Sequence, residues 1–265
     1  MSSIELLREE NLEFQFLVRG MNNSELNRFQ QVLLDEVPTL AITEIQVEIN
    51  TSSFEEAQLL NALAVIPFQS NSIDEIPYPE ECEEVDCSIE FELNVFCDQA
   101  ECEVTSADLI PTQATSVQPL YSDSLITLLQ PGQQLKLKAW VNKGIGADHS
   151  VFSPIARPRF QNLVDFELVP RRFRDKSRQE LKQILETCQE NALVLDSRTG
   201  VYRLARPDEL EALGCPASKL RIRPNNEFLF SFSSKGVLNL DLLMNLAAEI
   251  YEEVTSQPAP ELIGI

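Results

Sequence analysis

The chain has 265 residues, 43% of them hydrophobic, with 42 acidic against 21 basic side chains and a formal charge of −21. That charge excludes an autonomous nucleic-acid binder, because affinity for a phosphate backbone comes largely from lysine and arginine displacing counterions. No apolar run approaches the roughly 20 residues of a membrane span, and Glu5, Glu9, Glu10 and Glu13 give the start no signal-peptide character, so the six cysteines read as free or metal-bound thiols of a reducing compartment.

In chain order, Leu12, Phe14, Phe16 and Val18 alternate with Glu13, Gln15 and Leu17, which predicts a half-buried strand. Asn22, Asn23 and Ser24 offer N-caps for a following helix, on which Leu26, Phe29 and Leu33 recur on one face and which Pro38 ends. Ile45, Val47 and Ile49 alternate with Gln46 and Glu48 in a second strand. Beyond residue 50, Ile89, Phe91, Leu93 and Val95, and then Leu135, Leu137, Ala139 and Val141, repeat the period of two, so residues 50–172 read as mostly β. From Asp175 the period changes: Leu181, Ile184, Leu185 and Cys188 share a helical face, and residues 192–202 suggest a hairpin around Ser197 to Gly200. Phe228, Phe230 and Phe232 line one face of a late strand, Gly236 makes a turn, and a helix from about Asn239 carries Leu243, Leu246, Ala247, Ile250 and Val254. Strand and amphipathic helices of this kind make an α+β unit with one helical face left to cover.

Little in the chain points to catalysis. His149 is the only histidine, no Walker A loop is present, and Gly144 with Gly146 is too little for a phosphate cradle. Cys82, Cys87, Cys97 and Cys102 form two C-x4-C pairs. With residues 88–96 as one strand at about 3.3 Å per residue, Cys87 and Cys97 lie roughly 30 Å apart. A single tetrahedral zinc needs every sulfur at about 2.3 Å, so free thiols are the favoured reading and the four cysteines are kept only as secondary zinc candidates. Cys188 has only Cys215 near it in sequence, short of the four thiolates an iron–sulfur cluster normally needs, and no cofactor is expected.

Three blocks carry a family resemblance. The first runs through Asn27, Val32, Leu33 and Leu34 to Glu36-Val37-Pro38-Thr39-Leu40-Ala41-Ile42, with Asn50-Thr51 and Ile66-Pro67-Phe68-Gln69-Ser70 beyond it. The second is the run from Lys143 through Gly144, Gly146, His149, Phe152 and Pro154 to Ala156. The third is Asn226-Glu227-Phe228-Leu229-Phe230-Ser231-Phe232 with Gly236 and the closing helix. Their order and spacing resemble the α-like subunits of multisubunit DNA-directed RNA polymerases.

The resemblance implies a discontinuous dimerisation domain, 1–49 with 223–265, an inserted mostly-β domain at 50–172, and a degenerate ferredoxin-like remnant without a cluster at 173–222. It implies a noncatalytic assembly platform that pairs with a smaller α-like subunit, through Leu26, Phe29, Leu33, Leu243, Leu246 and Ile250. The two large catalytic subunits would dock on the loop bearing Lys143, Gly144, His149, Phe152 and Pro154. Only Cys87 matches a family zinc position clearly, with Cys82 a loose second. The loop and the remnant are most similar to the version shared by polymerases I and III, the length and the Cys82–Cys87 segment to the polymerase II or archaeal versions. Location follows the source: nucleus in a eukaryote, cytoplasm in an archaeon, with a virus-encoded polymerase a third setting. Gln30 and Gln31 stand where the family commonly has arginines, Asn61, Ala62 and Ala64 where it has His-Arg before Leu-Gly, and Ala147 and Val151 where it has lysines. These losses keep a second function class open, a free-standing acidic binding adaptor that retains the fold outside a polymerase. Co-purification with two very large chains separates the two classes. Acidic patches meeting basic faces of large partners fit the first; an ordinary solvated surface fits both.

Overall fold

A computed structural model of the chain describes residues 2–71, 73–82, 87–98, 100–168, 193–195, 202–204 and 220–265. The expected helix with Leu181, Ile184, Leu185 and Cys188, the turn Ser197 to Gly200, and Cys215 lie outside the described residues. Helices and mainly antiparallel sheets place the chain in the α+β class, and two compact units emerge.

The first unit comprises Met1–Leu26, Arg157–Phe232 and Pro260–Ile265. Its sheet contains β1 (Ser3–Glu10), β2 (Glu13–Arg19), β9 (Ile155–Leu168), β10 (Leu193–Leu195), β11 (Tyr202–Leu204), β12 (Leu220–Ser234) and β13 (Glu261–Ile263), in the order β10-β11-β9-β12-β2-β1-β13. Strands β10 and β11 are antiparallel, as a hairpin requires. One face of the sheet is aromatic: Phe14 and Phe16 of β2 meet Phe232 of β12 with ring centroids 5.7 and 5.4 Å apart, and Phe16 meets Phe230 at 6.2 Å. Leu17 points the other way and is buried with Leu163 and Leu229, so β2 is covered on both faces rather than half-buried. The expected strand residue Leu12 instead sits in the β1–β2 turn beside Asn11, both at positive φ (64° and 48°). Two consecutive positive φ values are what a tight primed hairpin turn requires.

The second unit comprises Asn27–Ala156 and Ser233–Ala259. Helix α1 (Asn23–Gln31), which enters it, is capped where the sequence offered a cap: Asn22 Oδ1 accepts from the Ser24 and Glu25 amides, and Glu25 accepts in return from Asn22 N at 2.8 Å. The turn before Pro38 widens into a π segment, Val32–Glu36, closed by Val37 N donating to Val32 O at 3.2 Å and braced by Arg28 on Glu36 at 2.6 Å. Strand β3 (Thr39–Asn50) pairs with β8 (Gln134–Gly144), which pairs with β4 (Ile89–Phe96), and β6 (Ile110–Pro111) closes the sheet. The alternation read from sequence holds in this sheet: Leu135, Leu137, Ala139 and Val141 are buried, while Lys136 and Lys138 pair with Glu48 and Glu90 at 2.6 and 2.8 Å on the other face. A separate ribbon joins β5 (Cys102–Thr105) to β7 (Leu125–Leu129). Helix α2 (Glu56–Ala64) buries Leu59 and Leu63. Helix α3 (Leu240–Thr255) starts where expected, with Asn239 Oδ1 accepting from Leu242 N at 2.8 Å. No helix among the described residues is long and apolar enough to cross a membrane.

The favoured reading of four free thiols is corrected. Cys82 is joined to Cys87, and Cys97 to Cys102, as disulfides with Cα separations of 6.2 and 5.8 Å. The Cα atoms of each pair lie within bridging range, which spacing alone does not reveal. The two bridges flank opposite ends of β4, and no group of three or more histidine, cysteine or carboxylate side chains is disposed to hold a metal among the described residues.

Candidate docking surfaces

The loop after β8 is built by close packing. Gly144 lies beneath the ring of Phe152, so that a Cβ there would meet the ring at 2.6 Å, and at Gly146 a Cβ would run into the carbonyl oxygen of Leu34. Glycine is needed at both positions for close approach. The backbone then fastens the loop to the π segment, Ala147 N donating to Asp35 O at 2.9 Å, and Thr39 Oγ1 donates to Phe152 O at 2.5 Å. A short 3-10 turn, Ser150–Phe152, is capped by His149, whose Nδ1 accepts from Val151 N at 3.2 Å.

Of the five residues expected to touch large partners, four face the chain itself. Phe152 and Pro154 are buried and Gly144 is covered by Phe152. Lys143 reaches inward: Nζ donates to Ile73 O at 2.9 Å and to Ile76 O at 3.0 Å, and lies 4.6 Å from the centroid of the Tyr78 ring. Burial lowers the Lys143 pKa, opposed by the carboxylates of Asp74 and Glu81. The outward tip consists of Ala147, Asp148, His149 and Ser150, all exposed.

Helix α3 divides its apolar residues between two faces. Leu243, Met244, Ala247, Ala248 and Tyr251 are buried, and the Tyr251 ring packs edge-on to Phe29 with centroids 5.7 Å apart. Leu242, Leu246 and Ile250 are only half-buried and Val254 is 51% exposed. Those four recur every fourth residue, so they form one stripe along the helix. Of the six residues expected at a dimer interface, Leu26, Phe29, Leu33 and Leu243 are therefore already core in the single chain, whereas Leu246 and Ile250 belong to the stripe. Leu242 and Val254 complete it; an i, i+4 count from Leu246 finds both.

Residues 47–154 match the family model of the RNA polymerase Rpb3/RpoA insert domain. The chain is 27% identical to the Dictyostelium discoideum DNA-directed RNA polymerase II subunit rpb3, over 93% of this chain and 90% of that protein. It is 29% identical to the human DNA-directed RNA polymerases I and III subunit RPAC1, over 91% of this chain and 78% of that one. Its identity to the Archaeoglobus fulgidus DNA-directed RNA polymerase subunit Rpo3 is 24%, over 94% of both. The insert-domain match ends at Pro154, on the loop itself, and the relatives extend the likeness to both terminal segments. The chain is related to the α-like subunits of multisubunit DNA-directed RNA polymerases.

Proposed function

We propose that the chain is a noncatalytic assembly-platform subunit of a DNA-directed RNA polymerase. It pairs with a smaller α-like chain through α3 and docks the two large catalytic subunits through the tip of the 143–154 loop. The carrying observation is the stripe Leu242, Leu246, Ile250 and Val254, which the described residues leave only partly covered on a helix whose opposite face is buried. A partner that covers it in an obligate interface of roughly 2,000 Å² or more removes that apolar surface from water. The division into a discontinuous dimerisation domain at 1–49 and 223–265, an insert at 50–172 and a remnant at 173–222 belongs to the same proposal, as does a nuclear location in a eukaryote or a cytoplasmic one in an archaeon.

The test is recovery of the tagged chain from its native source, followed by mass analysis of what elutes with it. Two very large chains and one small one are expected; recovery without the large chains overturns the platform reading in favour of an adaptor.

A further inference from the structure

The second unit carries a cleft of about 220 Å³ that neither the fold nor the sequence blocks assign. Its walls come from the start of β3, the end of α2, the 3-10 turn of the loop and the segment after β12; Leu40, Val65, Pro67 and Val237 make it apolar, and Lys235 and Ser153 stand among the polar lining. Val65 is 72% exposed, an aliphatic side chain held open at the rim.

Among the described residues, Lys235 is the only one with an ionisable side chain that lines the cleft. Its Nζ donates to the carbonyl oxygens of Ser150 and Val151 at 3.3 and 3.2 Å, and no carboxylate among the described residues lies within ion-pair distance of it. The other described lysines differ: Lys136 and Lys138 pair with glutamates, and Lys143 feels Asp74 and Glu81. Burial is the sole influence resolved on Lys235, and it acts against the charge. In a chain of net charge −21, a half-buried ammonium without an acid partner, with a third N–H left after its two carbonyl bonds, calls for an anion from outside.

Size and lining limit what that anion can be. The volume is below the roughly 300–1,000 Å³ of small-molecule and cofactor sites, and the apolar wall requires an aliphatic group beside the charge. We infer that the cleft is a recognition site for an extended segment of a partner protein in which an aliphatic side chain, seated between Val65 and Val237, is followed at once by an aspartate or glutamate that pairs with Lys235. This deepens the platform reading, on which the partner would be a large polymerase subunit reaching past the neighbouring loop tip.

The experiment uses the purified full-length chain and three capped pentapeptides, Ala-Ala-Leu-Asp-Ala, its Leu-Asn counterpart and its Ala-Asp counterpart, titrated with binding followed by saturation-transfer NMR. The Leu-Asp peptide is expected to bind, and each counterpart to bind roughly tenfold more weakly, since each loses one of the two interactions. Lys235→Met keeps the apolar stem and should abolish the preference for aspartate over asparagine; Lys235→Arg should restore it. Val65→Asp, at an exposed position, should abolish binding with an unchanged circular dichroism spectrum. Equal binding of the Leu-Asp and Leu-Asn peptides, no binding of any peptide, or an unaltered preference in Lys235→Met overturns the proposal. Failure of the peptides while the large chains still co-elute sinks this site alone; peptide binding without co-elution sinks the platform reading and leaves the site standing.

Discussion

The 143–154 loop and helix α3 both read from sequence as docking elements, yet the chain uses their apolar side chains in opposite ways. In the loop, glycines at 144 and 146 let the backbone close on Leu34 and let Phe152 fold back, so the aromatic anchor is consumed inside the chain and only the polar tip from Ala147 to Ser150 faces outward. In α3 the apolar arc is wider than the chain can cover: Leu243, Ala247 and Tyr251 are buried while Leu246, Ile250 and Val254 are left over. Apolar character therefore marks a docking surface only where the chain's own packing does not exhaust it.

Substitutions can break this contrast. The largest effect is expected at Phe29, fully buried against Tyr251: Phe29→Asp places an unpaired charge in the core, a cost on the order of the ~5–15 kcal/mol that holds a domain together. The variant should fail to give a cooperative urea transition. A folded Phe29→Asp chain that merely fails to pair would return Phe29 to the interface. Next is Phe152→Ala, which should lower chain stability by about 3–5 kcal/mol in urea titration, the usual result for removing a buried phenylalanine. Unchanged stability with weakened recruitment of a large subunit would mean that the ring turns outward in the assembly.

Gly146→Ala should cost roughly 1–3 kcal/mol, because the added carbon meets a backbone oxygen that has no rotamer to escape into. The accompanying readout is faster hydrogen exchange at the Ala147 amide, which now bonds to Asp35 O. On the α3 side, Val254→Asp, at a position 51% exposed, should change the stability of the isolated chain by under about 1 kcal/mol yet abolish pairing with the small partner in size-exclusion chromatography, since the charge is buried only in the complex. Co-elution of this variant with its partner would remove the stripe from the interface. The smallest effect belongs to His149→Ala, which deletes one exposed acceptor at the start of a 3-10 turn and should cost about 0.5–1 kcal/mol or less in the same urea titration.

Where hydrophobic period and local chemistry agree, the sequence was readable. The alternation of β4 and β8, the Asn22 and Asn239 caps and the start of α3 all appear where their residues place them. Strand β1 was not readable, since only Ile4 is buried and its far half, Leu7 to Glu10, is exposed and mostly charged, leaving no period to detect. Leu17 could not be assigned to a second buried face without Leu163 and Leu229, which are far away in the chain. Six residues named for an interface were correctly read as apolar helix faces, but the count along a helix cannot say which face its own chain will cover.

By itself, then, the sequence determined the elements that follow from local periodicity and capping, and the polymerase resemblance carried by short ordered blocks. Only the tertiary structure decided that Phe152 and Lys143 turn inward, that the cysteines pair within each C-x4-C unit, and that Lys235 meets the loop carbonyls with no acid beside it among the described residues. The reason is physical: period and capping are set within a few residues of one another. Burial, ion pairing and close approach depend instead on groups that the fold brings together from distant positions, 85 apart for Lys235 and Ser150 and 113 apart for Thr39 and Phe152.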